Sequence, residues 1–93
     1  MTVHYLKVRW HHDFADEPVL LLSEIKDGWE IRKVDVFRDG RLQRAGPDGG
    51  FEDTQLGEVE IPTADAIGAD PEFTVEPTSA EEFESAWSAA GNR

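Results

Sequence analysis

The chain has 93 residues, no cysteine, and twenty acidic against nine basic side chains, for a formal charge of −11. One domain of this length carries one modest core, and the lack of thiols excludes disulfides, cysteine nucleophiles and cysteine zinc sites. The excess of acid lies wholly beyond residue 46: residues 1–46 hold eight basic and eight acidic side chains, whereas residues 47–93 hold Arg93 against twelve acids, a balance that argues against a binder of phosphate backbones.

The first ten residues alternate. His4, Leu6, Val8 and Trp10 point one way and Val3, Tyr5, Lys7 and Arg9 the other, so residues 3–10 read as a half-buried strand with Leu6, Val8 and Trp10 inward. The charges Lys7 and Arg9 leave no apolar stretch of the kind a signal peptide needs. The longest apolar run, residues 19–22, is too short to span a bilayer. A cytoplasmic, bacterial-type setting is the expectation.

After a polar loop at residues 11–18, strands are expected at 19–26, 29–37 and 41–45, joined by Asp27-Gly28 and Asp39-Gly40. Asp-Gly between β-rich runs is a strong hairpin signal, because a two-residue turn of this kind needs positive φ at both positions. The first half is therefore expected to form an antiparallel meander. With Asp27-Gly28 as a two-residue loop, Ile25 faces Glu30, Glu24 faces Ile31 and Leu22 faces Lys33. Trp29 and Ile31 then lie on the face opposite Val34 and Val36, which a strict period of two cannot bury together. A bulge near Arg32-Lys33 is the favoured resolution, and apolar cover on both faces is the alternative.

Residues 46–50 read as a loop, and residues 51–70 show only a weak pattern, with a helical turn at 63–67 capped by Thr63. A short edge strand is expected at 73–76. The clear helix is residues 79–90. Ser79 with Glu82 and Thr78 with Glu81 each fit a capping box. Ala80, Phe83, Trp87 and Ala90 form one stripe, and Gly91 ends the helix. The fold expected is a single α+β domain over residues 1–93, an antiparallel β-meander of about four strands with the C-terminal helix packed on one face.

Several of these segments carry a resemblance. Residues 5–12 (Tyr-Leu-Lys-Val-Arg-Trp-His-His), Glu17-Pro18-Val19-Leu20, Trp29-Glu30-Ile31-Arg32-Lys33-Val34, Asp39-Gly40-Arg41 and the closing helix with Phe83 and Trp87 are similar to a family of small bacterial proteins known only as a domain of unknown function. The resemblance covers nearly the whole chain. It implies a free-standing domain and brings no site residue with it.

Among constellations that carry chemistry, His11-His12-Asp13 is the one metal candidate. Neighbours on a strand end point to opposite faces, so the two imidazoles do not readily share an ion. No acid pair is placed as a glycosidase would need. Ser23 lacks a nucleophile elbow, and the glycines form no phosphate loop. No catalytic residue, cofactor or metal is assigned, and the chain is expected not to be an enzyme.

Surface charge is more informative. In a two-residue register at Asp39-Gly40, Arg38 opposes Arg41 and Asp35 opposes Arg44. Like charges facing one another destabilise a hairpin, so either an anion or acidic surface belongs between them, or the two side chains splay into water or share an acid such as Asp39, which is the commoner case. A charged ladder of Glu24, Glu30 and Arg32 either holds the sheet together or, with Lys7 and Arg9, lines a second recognition face. The candidate interaction surface is thus Arg38, Arg41, Arg44, Lys7, Arg9, Glu30 and Arg32. The leading function is a small acidic, non-enzymatic protein-interaction module, immunity- or inhibitor-like, whose partner is a basic protein. The alternative is a binder of an anionic small ligand or nucleic-acid element through Arg38, Arg41 and Arg44. Nucleic acid is otherwise disfavoured, no membrane is involved, and the chain is expected as a monomer or weak homodimer.

Overall fold

The computed structural model, described over residues 3–46, 49–50 and 64–91, is built on one antiparallel sheet. The chain runs β1 (Val3–Trp10), β2 (Leu20–Lys26), β3 (Trp29–Val36), β4 (Leu42–Gly46), β5 (Gly49–Gly50), α1 (Ala64–Gly68), β6 (Phe73–Glu76) and α2 (Ala80–Gly91). In space the strands lie β5-β4-β3-β2-β1-β6. The fold is α+β with the expected meander. The short C-terminal strand joins it beside β1, giving five strands of four residues or more and one two-residue ribbon. The expected cap Thr63, the residues from 51 to 62, and Arg93 lie outside the described residues. Among the described residues no helix is long and apolar enough to cross a membrane.

Local chemistry explains the turns. Asp27 and Gly28 have φ of 54° and 89°, the two positive angles a two-residue hairpin requires, and Lys26 faces Trp29 across them. The second reversal differs from expectation. Gly40 NH donates to Phe37 O, Phe37 NH donates to Arg41 O, and Gly40 has φ of 92°. Arg38-Asp39-Gly40 is thus a three-residue loop closed by a left-handed glycine. Asp39 Oδ1 accepts from Arg41 NH at 3.0 Å and fixes it. Val36 consequently pairs with Leu42, Asp35 with Gln43 and Val34 with Arg44. Arg38 does not oppose Arg41, and Asp35 does not oppose Arg44; Lys33 Nζ lies 3.6 Å from Asp35 instead.

The bulge is present, one residue earlier than expected. Ile25 pairs with Glu30 but Glu24 pairs with Arg32, so Ile31 is the extra residue. Every pair beyond it shifts by one: Leu22 meets Val34, not Lys33. The shift puts Trp29, which faces Lys26, on the same face as Arg32, Val34 and Val36, so the apolar residues on either side of the bulge no longer lie on opposite faces.

Both faces are nonetheless covered. On one, Leu22 and Val34 pack with Phe83 and Ala90 of α2, flanked by Tyr5, Val36, Leu42 and Trp87. Ser79 caps α2, its Oγ accepting from Glu82 NH at 3.1 Å, whereas Thr78 gives its hydroxyl to the Glu82 carboxylate rather than pairing with Glu81. On the other face, Leu6, Val8 and Ile25 form a separate cluster, joined by Leu21, Ile67, Phe73 and Val75. Leu6 and Val8 point inward as expected, but away from α2. The helix that reaches them is the five-residue α1, and β6 completes the cover.

Candidate functional site

The α2 face of the sheet uses four of the eight basic residues of the first half to hold the fold together. Arg32 crosses from β3 to Glu24 on β2 with two nitrogens, reaches Glu84 on α2, and lies about 5 Å above the rings of Phe83 and Trp87. Tyr5 donates its hydroxyl to the same Glu24 carboxylate at 2.9 Å. Glu24 is buried, and its pairing with Arg32 holds it below the usual carboxylate range. The Tyr5 phenol is raised, first through that bond to Glu24. Lys7 Nζ lies 2.7 Å from Glu82 on α2, and Arg9 Nε lies 2.7 Å from Glu76 on β6; both carboxylates are lowered by these bonds. Arg44 donates to the Trp87 carbonyl at 3.0 Å near the C-terminal end of α2 and stacks on the Trp87 ring.

The seven sequence-predicted surface residues are therefore not one surface. Lys7, Arg9, Arg32 and Arg44 bind the chain's own elements. Arg38 donates to the His12 carbonyl at 2.6 Å, and Arg41 lies over the Phe37 ring. Arg38, Arg41 and Arg44 are each held by a different partner. Glu30 lies on the opposite face of the sheet from Glu24, apart from the ladder expected to join them, and accepts the Ser23 hydroxyl at 2.7 Å.

The histidines also separate. His11 Nε2 meets Thr74 Oγ1 at 2.7 Å, while His12 Nε2 meets the Pro18 carbonyl at 2.7 Å. Phe14 NH donates to His12 Nδ1 at 2.9 Å. A carbonyl only accepts and an amide NH only donates, so these partners select the neutral His12 tautomer with its proton on Nε2. Among the described residues no group of three or more histidines and carboxylates is arranged to hold a metal.

What sequence reasoning missed is the end of the sheet where this loop lies. Trp10, at the close of β1, pairs with Phe73 at the start of β6, and their rings stack with centroids 6.3 Å apart. His12 packs on Trp10 at 4.2 Å and Phe14 on His12 at 5.3 Å. The ladder Phe73–Trp10–His12–Phe14 ends on Phe14, which is 61% exposed. Trp10 Nε1 donates to Glu72, and Glu72 NH donates to Asp70 Oδ1, at 2.9 Å each. The loop that carries Phe14 also holds exposed Asp13, Asp16 and Glu17, and the turn before β6 holds exposed Asp70 and Glu72. The signal was the spacing Trp10-x-His12-x-Phe14; the missing information was the register of β6.

The family described as Domain of unknown function (DUF6881) matches residues 4–92. No curated protein and no solved structure matches the chain.

Proposed function

We propose, of a chain that belongs to the DUF6881 family, that it is a non-enzymatic interaction module whose aromatic, acid-ringed end docks on a basic protein. The observation that carries this reading is Phe14, an exposed ring at the top of a packed aromatic ladder, in a loop that also exposes Asp13, Asp16 and Glu17, with Glu72 bonded to Trp10 of the same ladder. Large exposed aromatics on a rigid base are the usual energetic centres of protein interfaces, and a rim of one charge steers a partner of the other. The distribution of charge supports it too. Four of the eight basic residues of the first half are tied to α2 or β6, so the acid excess is what the molecule offers to solvent. A basic nuclease or toxin is a partner class of the right charge, and a cysteine-free chain suits a bacterial cytoplasm.

The test starts from capture in a host lysate by the wild-type chain and by Phe14→Ala, with the retained protein purified for kinetics. Its association rate is expected to fall at least about tenfold between low salt and about 0.5 M NaCl. Phe14→Ala is expected to weaken binding about tenfold, the effect of losing a central aromatic. Arg41→Ala, which leaves the Arg38 bond to the His12 carbonyl in place, is expected to leave affinity unchanged. A rate indifferent to salt, or a partner lost with Arg41→Ala and kept without Phe14, overturns the reading in favour of an anion site.

A further inference from the structure

On the face away from α2, the sheet and α1 line a half-open cavity of about 470 Å³. That volume falls within the range of small-molecule sites. Its walls are apolar: Leu6 and Val8 on β1, Leu21 on β2, Ile67 on α1 and Phe73 on β6. Its polar groups are few and converge from Ser23, Glu30, Lys33 and Asp70.

Their hydrogen-bonding capacity selects the ligand. Ser23 gives its proton to Glu30 Oε2 at 2.7 Å, so its oxygen has only lone pairs to offer a guest. Asp70 accepts the Glu72 amide and, as a carboxylate, offers acceptors only. Lys33 is the one cation among the described residues of the lining, and it already faces Asp35 at 3.6 Å. The cavity is thus rich in acceptors and net negative, within apolar walls. An anion entering it meets two carboxylates; a neutral hydrocarbon leaves the polar wall unsolvated. A molecule with an apolar body and an ammonium head satisfies both parts.

We propose that this cavity binds a small apolar amine, with the ammonium at Glu30 and Ser23 and the hydrocarbon against Leu6, Val8, Leu21, Ile67 and Phe73. The site shares Phe73 and Asp70 with the Phe14 end but does not depend on the role of Phe14 in docking.

The experiment titrates the full chain with three probes of matched shape, 2-phenylethylamine, 2-phenylethanol and 3-phenylpropanoate, and follows methyl and amide NMR signals. The amine is expected to move the methyls of Leu6, Val8 and Ile67 and to bind at least tenfold more tightly than the alcohol, with the acid weakest. Glu30→Gln is expected to lower amine affinity about tenfold while leaving the alcohol unchanged, because only the charge-assisted bond is lost. Unchanged alcohol binding also reports that the variant is folded. A fourth probe, an Nα-acetyl-lysine amide, tells a free amine from a protein's lysine side chain; the apolar walls are expected to disfavour it. The assignment is overturned if the acid binds as well as the amine, if Glu30→Gln leaves amine affinity intact, if the lysine amide equals the amine, or if shifts fall around Phe14 instead of the cavity.

Discussion

At the scale of single residues, Arg32 bears the most. It joins β3 to β2 through Glu24 and the sheet to α2 through Glu84, with its guanidinium over Phe83 and Trp87. Removing one partner of a buried pair costs more than the pair contributes, because the other charge is stranded. Arg32→Met is therefore expected to destabilise the fold by about 3 kcal/mol. Adding Glu24→Gln to it should restore much of the loss, as a urea-denaturation cycle would read. The same pair sets an acid limb. Arg32 holds the folded-state pKa of Glu24 below its ordinary value of 4.5. The stabilisation is thus complete above that value and disappears as pH falls through the lower, folded-state one. Urea midpoints should drop as pH goes below about 4.5, and Glu24→Gln should flatten the drop in part, since Glu76 and Glu82 are lowered as well. Sequence spacing flagged Glu24 and Arg32 as a charged group on the middle strands. That they are bonded face to face required the bulge at Ile31, which brings them directly opposite.

At the scale of elements, Asp-Gly pairs were legible as reversals but not as turn types. Asp27-Gly28 is the two-residue turn that its sequence suggests. Asp39-Gly40 is the same dipeptide in a three-residue loop, because Gly40 alone takes positive φ there and Asp39 commits its carboxylate to Arg41 NH. A dipeptide compatible with both geometries leaves the choice to packing, here Val36 against Leu42 on the α2 side. The one-residue difference dissolved the expected Arg38–Arg41 opposition, on which the alternative reading of an anion binder had leaned. Gly40 offers a direct test. A Cβ there meets nothing within 4 Å, so Gly40→Ala carries only the conformational cost of a left-handed residue. That cost is about 1–2 kcal/mol. Thermal unfolding should show the loss with the cross-strand amide contacts unchanged; a loss well above it would mean the loop is more tightly packed than open space implies. Helix α2, by contrast, was readable in its main features, since Ser79, Phe83 and Ala90 announce cap and buried stripe by spacing, although Ala80 at the head of that stripe is exposed and Thr78 bonds Glu82 rather than Glu81.

At the scale of the whole molecule, the sheet was readable as amphipathic on one side and proved to be covered on both, because residues 73–76 add a strand beside β1 and α1 lies against it. Neither segment has a periodicity strong enough to show this without the sheet it completes. The net charge, in contrast, is a property of composition and makes its own prediction. The molecule measures 32 × 32 × 24 Å. At 0.01 M salt the Debye length is about 30 Å, so every acid feels nearly every other across the domain. Toward 1 M it falls to about 3 Å, and only touching charges interact. Two effects then compete. Screening relieves the self-repulsion of an excess of eleven negative charges, which opposes the compact state. It also weakens pairs such as Arg9 with Glu76 and Lys7 with Glu82, but exposed pairs contribute little, and the Arg32–Glu24 pair is buried enough to be screened less. Relief of repulsion outweighs the weakened pairs, so the melting temperature should rise by several degrees between about 0.01 and 0.3 M NaCl, the change that about 1 kcal/mol produces in a domain this size. Calorimetry in NaCl, rather than in a salt that also strengthens apolar burial, isolates the screening. A melting temperature that falls instead would mean that the internal ion pairs, not the acid excess, govern the electrostatics of folding.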